Sequence, residues 1–135
     1  MLNLAFGWIW ITAGFLSGAM LGMGFHKENF MGGYNSWERR LARLGHIAFF
    51  GTGFLNVLVG LSGLMLSEGQ MSGRLWHAMS WSFMIGAVAM PICCFIAARW
   101  INAKSIFVLP VVGLTAGGVM MSIIMLDAIM NGGVS

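Results

Sequence analysis

The amino-acid sequence predicts an all-α integral membrane protein. It reads as one domain over residues 1–135, with four transmembrane helices in a compact antiparallel arrangement and both termini outside. Three observations carry that expectation. Only 8% of the residues are charged and 59% are hydrophobic, whereas a water-soluble domain carries about a quarter charged residues. Mean hydropathy is +0.85. The apolar residues also gather in four blocks, each near the ~20 residues that a helix needs to cross a hydrocarbon core of ~30 Å. Barrel strands would be about half that length and would alternate in polarity.

The first helix is expected over residues 4–23. The opening stretch MLNLAFGW has no basic residue, so it lacks the n-region of a cleaved signal and reads as a retained helix. Gly14, Gly18 and Gly22 recur every fourth residue, a flat ridge against which a second backbone can lie. A polar connection, 24–36, follows. The second helix is expected over 37–66, capped by Asn35 or Ser36, with Glu38 and Arg39 in its first turn. Its apolar stretch begins at Leu44, so 37–43 forms an extension whose Trp37, Arg40 and Arg43 suit headgroups or a partner subunit. Gly53 and Gly60 again offer close approach, and Asn56 is the one strongly polar side chain near the middle of a span.

The third helix is expected over 75–98 and the fourth over 105–127. Pro91 lies inside the third, where it can bend the helix; Pro110 lies near the start of the fourth, where little of the hydrogen-bond ladder is lost. Gly113 and Gly117 mark a packing face on the fourth helix. Cys93 and Cys94 are adjacent, a spacing that suits packing better than a disulfide or a zinc site.

Charge sets the expected orientation. The first connection carries Lys27, Arg39, Arg40 and Arg43 against Glu28 and Glu38, and the third carries Arg99 and Lys104 with no acid. The positive-inside rule places these two connections in the cytoplasm, and a bacterial inner membrane is the expected location. The formal net charge of +3 then reports topology, and nucleic acid is not an expected partner.

Two tetrads, Arg43-Leu-Gly-His46 and Arg74-Leu-Trp-His77, raise the question of a shared cofactor. In antiparallel helices they fall at opposite surfaces, roughly 20 Å or more apart. Two ligands of one haem need nitrogens about 4 Å apart, so the pair cannot bind it together. Interhelical hydrogen bonds are the simpler role for each imidazole. The alternative is haem b or a chlorin on His46 or His77 singly, since imidazole is a recurrent haem ligand. His26, Arg74 and Asp127 are the remaining candidates for polar clusters at the helix ends.

No hydrolase, nucleophile-elbow or phosphate-loop motif occurs, so an enzyme is not expected. A transporter is disfavoured because no charged side chain sits at mid-span. Copper handling by Met120, Met121 and Met125 competes with methionine's ordinary use as an adaptable gap-filler. The expected function is a small accessory subunit of a larger, energy-transducing membrane complex, with other integral subunits and lipids as its partners.

Overall fold

The fold was analysed in a computed structural model that describes residues 1–131. Four helical stretches are long and apolar enough to cross a membrane: Leu2–Phe25, Trp37–Gly63, Arg74–Arg99 and Ile101–Met130. We label the α-helices α1 (Leu2–Phe25), α2 (Trp37–Gly63), α3 (Glu68–Met71), α4 (Arg74–Arg99) and α5 (Val108–Met130). A 3-10 turn, Phe30–Gly32, lies in the first connection, and a 3-10 segment, Ile101–Phe107, leads into α5. No strand is present among the described residues.

The helix bounds differ from the sequence expectation most at α1, at the end of α2 and at the start of the last span, while α4 is one residue longer at each end than expected. α1 extends past both expected ends and is capped by His26. α2 stops at Gly63 instead of 66 because Leu66 turns away to join the buried cluster of Val59, Trp76 and Met79. Ser67 and Gln70 then form a capping box that starts α3. The last span is 3-10 up to Phe107 and becomes α-helical only at Val108. Pro110 has no N–H for the Ile106 carbonyl, and in an α-helix its ring crowds that oxygen. The Cys93 thiol donates to the same carbonyl at 3.5 Å, which ties α4 to the start of the last span.

The spans pack in chain order, α1 on α2, α2 on α4 and α4 on α5. α2 and α4 are the inner pair, and α1 and α5 flank them. The main core lies between α2, α4 and α5, where Phe83, Ile124 and Ala128 close on Val59 and Met79. A smaller core at the opposite end joins Leu41 to Ala97 and Ala98, with Trp37 and Phe107 packed against it.

Glycine determines how close α1 and α2 come. A Cβ on Gly60 would fall 2.7 Å from the Leu4 nitrogen, and one on Gly7 would fall 2.7 Å from the Gly53 carbonyl oxygen. These obstacles are backbone, which cannot swing aside as a side chain can. Further along, Gly14 faces Phe49 and Phe50, and Gly18 faces the His46 ring. Between α2 and α4, Gly45 faces Cys94 and Gly63 faces Trp76; between α4 and α5, Gly117 faces Phe83. Apolar area gives helices little reason to associate in lipid, so such close approach is a principal source of cohesion.

Gly53→Val and Gly60→Val should each destabilise the fold by about 1–3 kcal/mol, the usual cost of overpacking. Gly51→Val, on the same helix with nothing within 4 Å of an added Cβ, should be close to neutral. Unfolding of the three variants by denaturing detergent, followed by circular dichroism, checks the contrast.

Candidate functional site: the buried polar groups of α1, α2 and α4

The most enclosed polar groups are two amides. Asn56 is fully buried and Asn3 nearly so. Asn3 Nδ2 donates to Asn56 Oδ1 at 2.9 Å and to the Ser80 carbonyl at 3.2 Å. Asn56 Nδ2 in turn donates to the Thr52 carbonyl at 2.9 Å and the Phe83 carbonyl at 3.3 Å. Every donor therefore lands on an acceptor, and the pair links α1, α2 and α4 at one point. A primary amide is well suited to this, since it both donates and accepts within one planar group. Nothing in the cluster titrates, so its chemistry is that of a fastener.

His46 occupies a second polar junction, between α1 and α2. Its Nδ1 lies 2.9 Å from Ser17 Oγ, and its ring meets Phe50 edge-on with centroids 5.2 Å apart. A Cβ on Gly18 would fall 2.6 Å from Cε1, so glycine makes the seat on which the imidazole rests. Ser17 Oγ also donates to the Gly14 carbonyl at 2.8 Å. The hydroxyl has one proton and the carbonyl can only accept. Both bonds form together when His46 carries its proton on Nδ1 and donates to Ser17, which leaves a lone pair on Nε2.

The first connection and the start of α2 form a cationic, aromatic collar. Ser36 caps α2, accepting from the Arg39 amide at 3.1 Å. Arg39 is buried, its guanidinium 4.4 Å from the Phe25 ring centroid, and Nη2 donates to the Phe25 carbonyl at 3.3 Å. Arg43 lies over the Tyr34 ring at 4.8 Å. Trp37 Nε1 donates to the Ala97 carbonyl at 2.9 Å, while Lys104 Nζ sits 5.1 Å above its ring. Trp37 is thus committed to α4, and Arg40 is the fully exposed cation of the extension. Met31, Gly32 and Gly33 turn the connection through three successive positive φ values.

The other candidates from the sequence are dispersed. His77 is exposed at the start of α4, next to Trp76, which packs on Gly63. His46 follows Gly45, which packs on Cys94. The two levels are 18 residues apart along α2, or ~27 Å. His26 is exposed beyond the far end of α1, eight residues past Gly18 and so ~12 Å from the His46 level. Arg74 and Asp127 are exposed at the His77 end, so the structure does not gather His26, Arg74 and Asp127 into one cluster. Asp127 accepts from Asn131 Nδ2 at 2.7 Å. Among the glycines, Gly53, Gly60, Gly14, Gly18 and Gly117 face neighbours within the chain, and Gly113 lies near the Ser82 carbonyl. Gly22 and Gly118 have nothing within 4 Å. Met120, Met121 and Met125 pack against the main core. Among the described residues no three His, Cys, Asp or Glu side chains are placed to hold a metal ion.

Sequence reasoning missed Asn3, Ser17 and the burial of Arg39. The first two had a readable signal. Asn3 is an amide in the first turn of an apolar helix, and Ser17 shares a helical face with Gly14 and Gly18. Arg39 had none, because its burial depends on how Phe25 and Tyr34 fold back over it.

No match was found when the chain was compared with protein-family models, curated proteins and solved structures.

A double-mutant cycle on Asn3→Ala and Asn56→Ala tests the amide pair. Direct pairing gives a coupling of about 0.6–1.7 kcal/mol, the range measured for hydrogen bonds between membrane helices. Additive single effects would show that the two amides act separately.

Proposed function

We propose that the chain is a small accessory subunit of a larger, energy-transducing complex in a bacterial inner membrane, and that it holds integral neighbours through its outer helices. The observation that carries this reading is the contrast between inner and outer spans. The most apolar windows of α2 and α4 are 39% and 50% buried, whereas those of α1 and the last span are only 17% and 11% buried. The outer helices also carry Gly22 and Gly118, where an added Cβ would meet nothing within 4 Å among the described residues. Small residues are where membrane helices pack most closely, so these positions suit a neighbouring span. The buried amides are occupied with other groups of the same chain, which argues against a conduction path.

The arrangement we propose is antiparallel, with the connections holding Lys27 and Lys104 cytoplasmic and both termini outside. Its support is the order of the contacts. They rise along α1 from Leu4 to Gly18 as they fall along α2 from Gly60 to His46, and the same reversal relates α2 to α4. The first and third connections then share one face, and their basic residues make it the cytoplasmic one.

Native mass spectrometry of the protein, extracted from its own membrane in mild detergent, tests the subunit reading. The expected result is co-purifying integral proteins, reduced by Gly22→Leu or Gly118→Leu while the chain itself stays folded. An isolated monomer with no companion would refute it.

One observation favours a second reading, a haem or chlorin bound through His46. Ligating imidazoles are normally oriented by a hydrogen bond at the other ring nitrogen, and Ser17 Oγ lies 2.9 Å from Nδ1, so the tautomer protonated on Nδ1 would keep Nε2 for a ligand. A visible absorption band in the purified protein, lost in His46→Ala and retained in His77→Ala, is the expected outcome for this reading. A colourless protein from its native membrane would exclude it.

A further inference from the structure

One face of α4 is left uncovered by the rest of the chain. Trp81, Ile85, Val88 and Ile92 are exposed, recur at helical spacing, and floor a groove of about 870 Å³. Phe6 of α1 borders the groove toward one end and Leu109 of α5 toward the other. From Trp81 to Ile96 it runs 15 residues along the helix, or ~22 Å. That exceeds the ~15 Å depth of one leaflet, half of a ~30 Å hydrocarbon core.

Three features identify the occupant. The first is the floor itself. A neighbouring helix packs best where small residues let backbones meet, and this floor is made of bulky side chains that leave room for a thin, flexible chain. The second is polarity. No charged, hydroxyl or amide side chain lines the groove, and the Cys93 thiol at its edge is already donated to Ile106. The groove therefore suits hydrocarbon and gives no anchor to a polar ring system. The third is charge at one end. The exposed stripe continues past Ile96 into Arg99 and Trp100, and Lys104 follows in the 3-10 segment. Residues 99–107 contain two cations and no acid; Glu38 shares a small neighbouring cleft with Arg99. Arg99 falls on the same helical stripe as Trp81, Val88 and Ile92, whereas the Lys104 ammonium sits over Trp37 on the α2 side of α4.

We propose that the groove holds an acyl chain of an anionic phospholipid, with the lipid phosphate bound by Arg99 at the end of the stripe. The indole of Trp100 then lies at headgroup level, the ordinary place for tryptophan in a membrane protein. This lipid occupies α4, away from the open glycines of α1 and α5, so the proposal stands whether or not the chain is an accessory subunit.

The test is native mass spectrometry of the full chain in detergent, titrated separately with phosphatidylglycerol and phosphatidylcholine. Phosphatidylglycerol should bind more tightly, by about fivefold for each basic side chain engaged. Arg99→Gln should bring the two lipids to similar affinity. Val88→Trp, an exposed position on the groove floor, should weaken both lipids while circular dichroism stays unchanged. Equal binding of the two lipids by the unaltered protein would overturn the headgroup assignment. Full retention of phosphatidylglycerol by Val88→Trp would overturn the groove. A photo-crosslinker at Val88 that captures a polypeptide in native membranes, instead of lipid, would overturn the choice of occupant.

Discussion

The bonded amides of Asn3 and Asn56 are the constraint on which the helix arrangement depends. An unpaired amide in hydrocarbon costs several kcal/mol, so once Asn56 is placed within an apolar helix its partners are all but dictated. Asn3 supplies the donor for its oxygen, and Phe83 and Thr52 supply acceptors for its nitrogen. Those partners lie on three helices. Sliding α1 along α2 by even one turn would break the bond between the two amides and move Asn3 away from the Ser80 carbonyl. The pair thus fixes register, which apolar packing alone specifies weakly.

Glycine contacts depend on that register. Gly7 must face Gly53, and Leu4 must face Gly60, for the two backbones to approach without a clash. The amides hold these positions opposite each other, and the close approach in turn keeps water and lipid away from the amides. At the other end of α1 the same logic recurs on a smaller scale, with Gly18 as the seat and Ser17 and His46 as the bond. Two polar fasteners separated along one helix resist rocking as well as sliding, which a single fastener would not.

Much of this architecture was legible in the residues. Four apolar blocks gave four spans, and the glycine spacing marked faces where helices meet. Asn56 stood out because an amide in such a block needs a reason. Details missed were those set by tertiary contact. Leu66 continues the apolar block and so resembled helix, yet the buried space beside Trp76 draws it out of α2. The 3-10 lead into α5 depends on Pro110 and on the Cys93 thiol that meets the freed carbonyl, a pairing 13 residues apart that no local pattern reveals. Glycine spacing also showed where close contact is allowed without showing with what. Gly14 and Gly22 look alike in sequence, but one faces Phe49 and the other faces open space.

That last distinction bears on function more than any single site does. The interior is mostly saturated: amides meet carbonyls, the imidazole has its hydroxyl, and the glycines of α2 facing α1 meet its backbone, with Ser80 Oγ, Trp10 Nε1 and Arg39 Nε the unpaired exceptions among the described residues. The surface is not. Gly22 and Gly118 wait on opposite outer helices, and α4 carries a long groove between them. The open features include the apolar faces, the Nε2 edge of His46 and the basic ends of the helices. Each is a place at which the proposed accessory subunit would hold a membrane neighbour, so the proposal rests on the sides of the molecule and not on its interior.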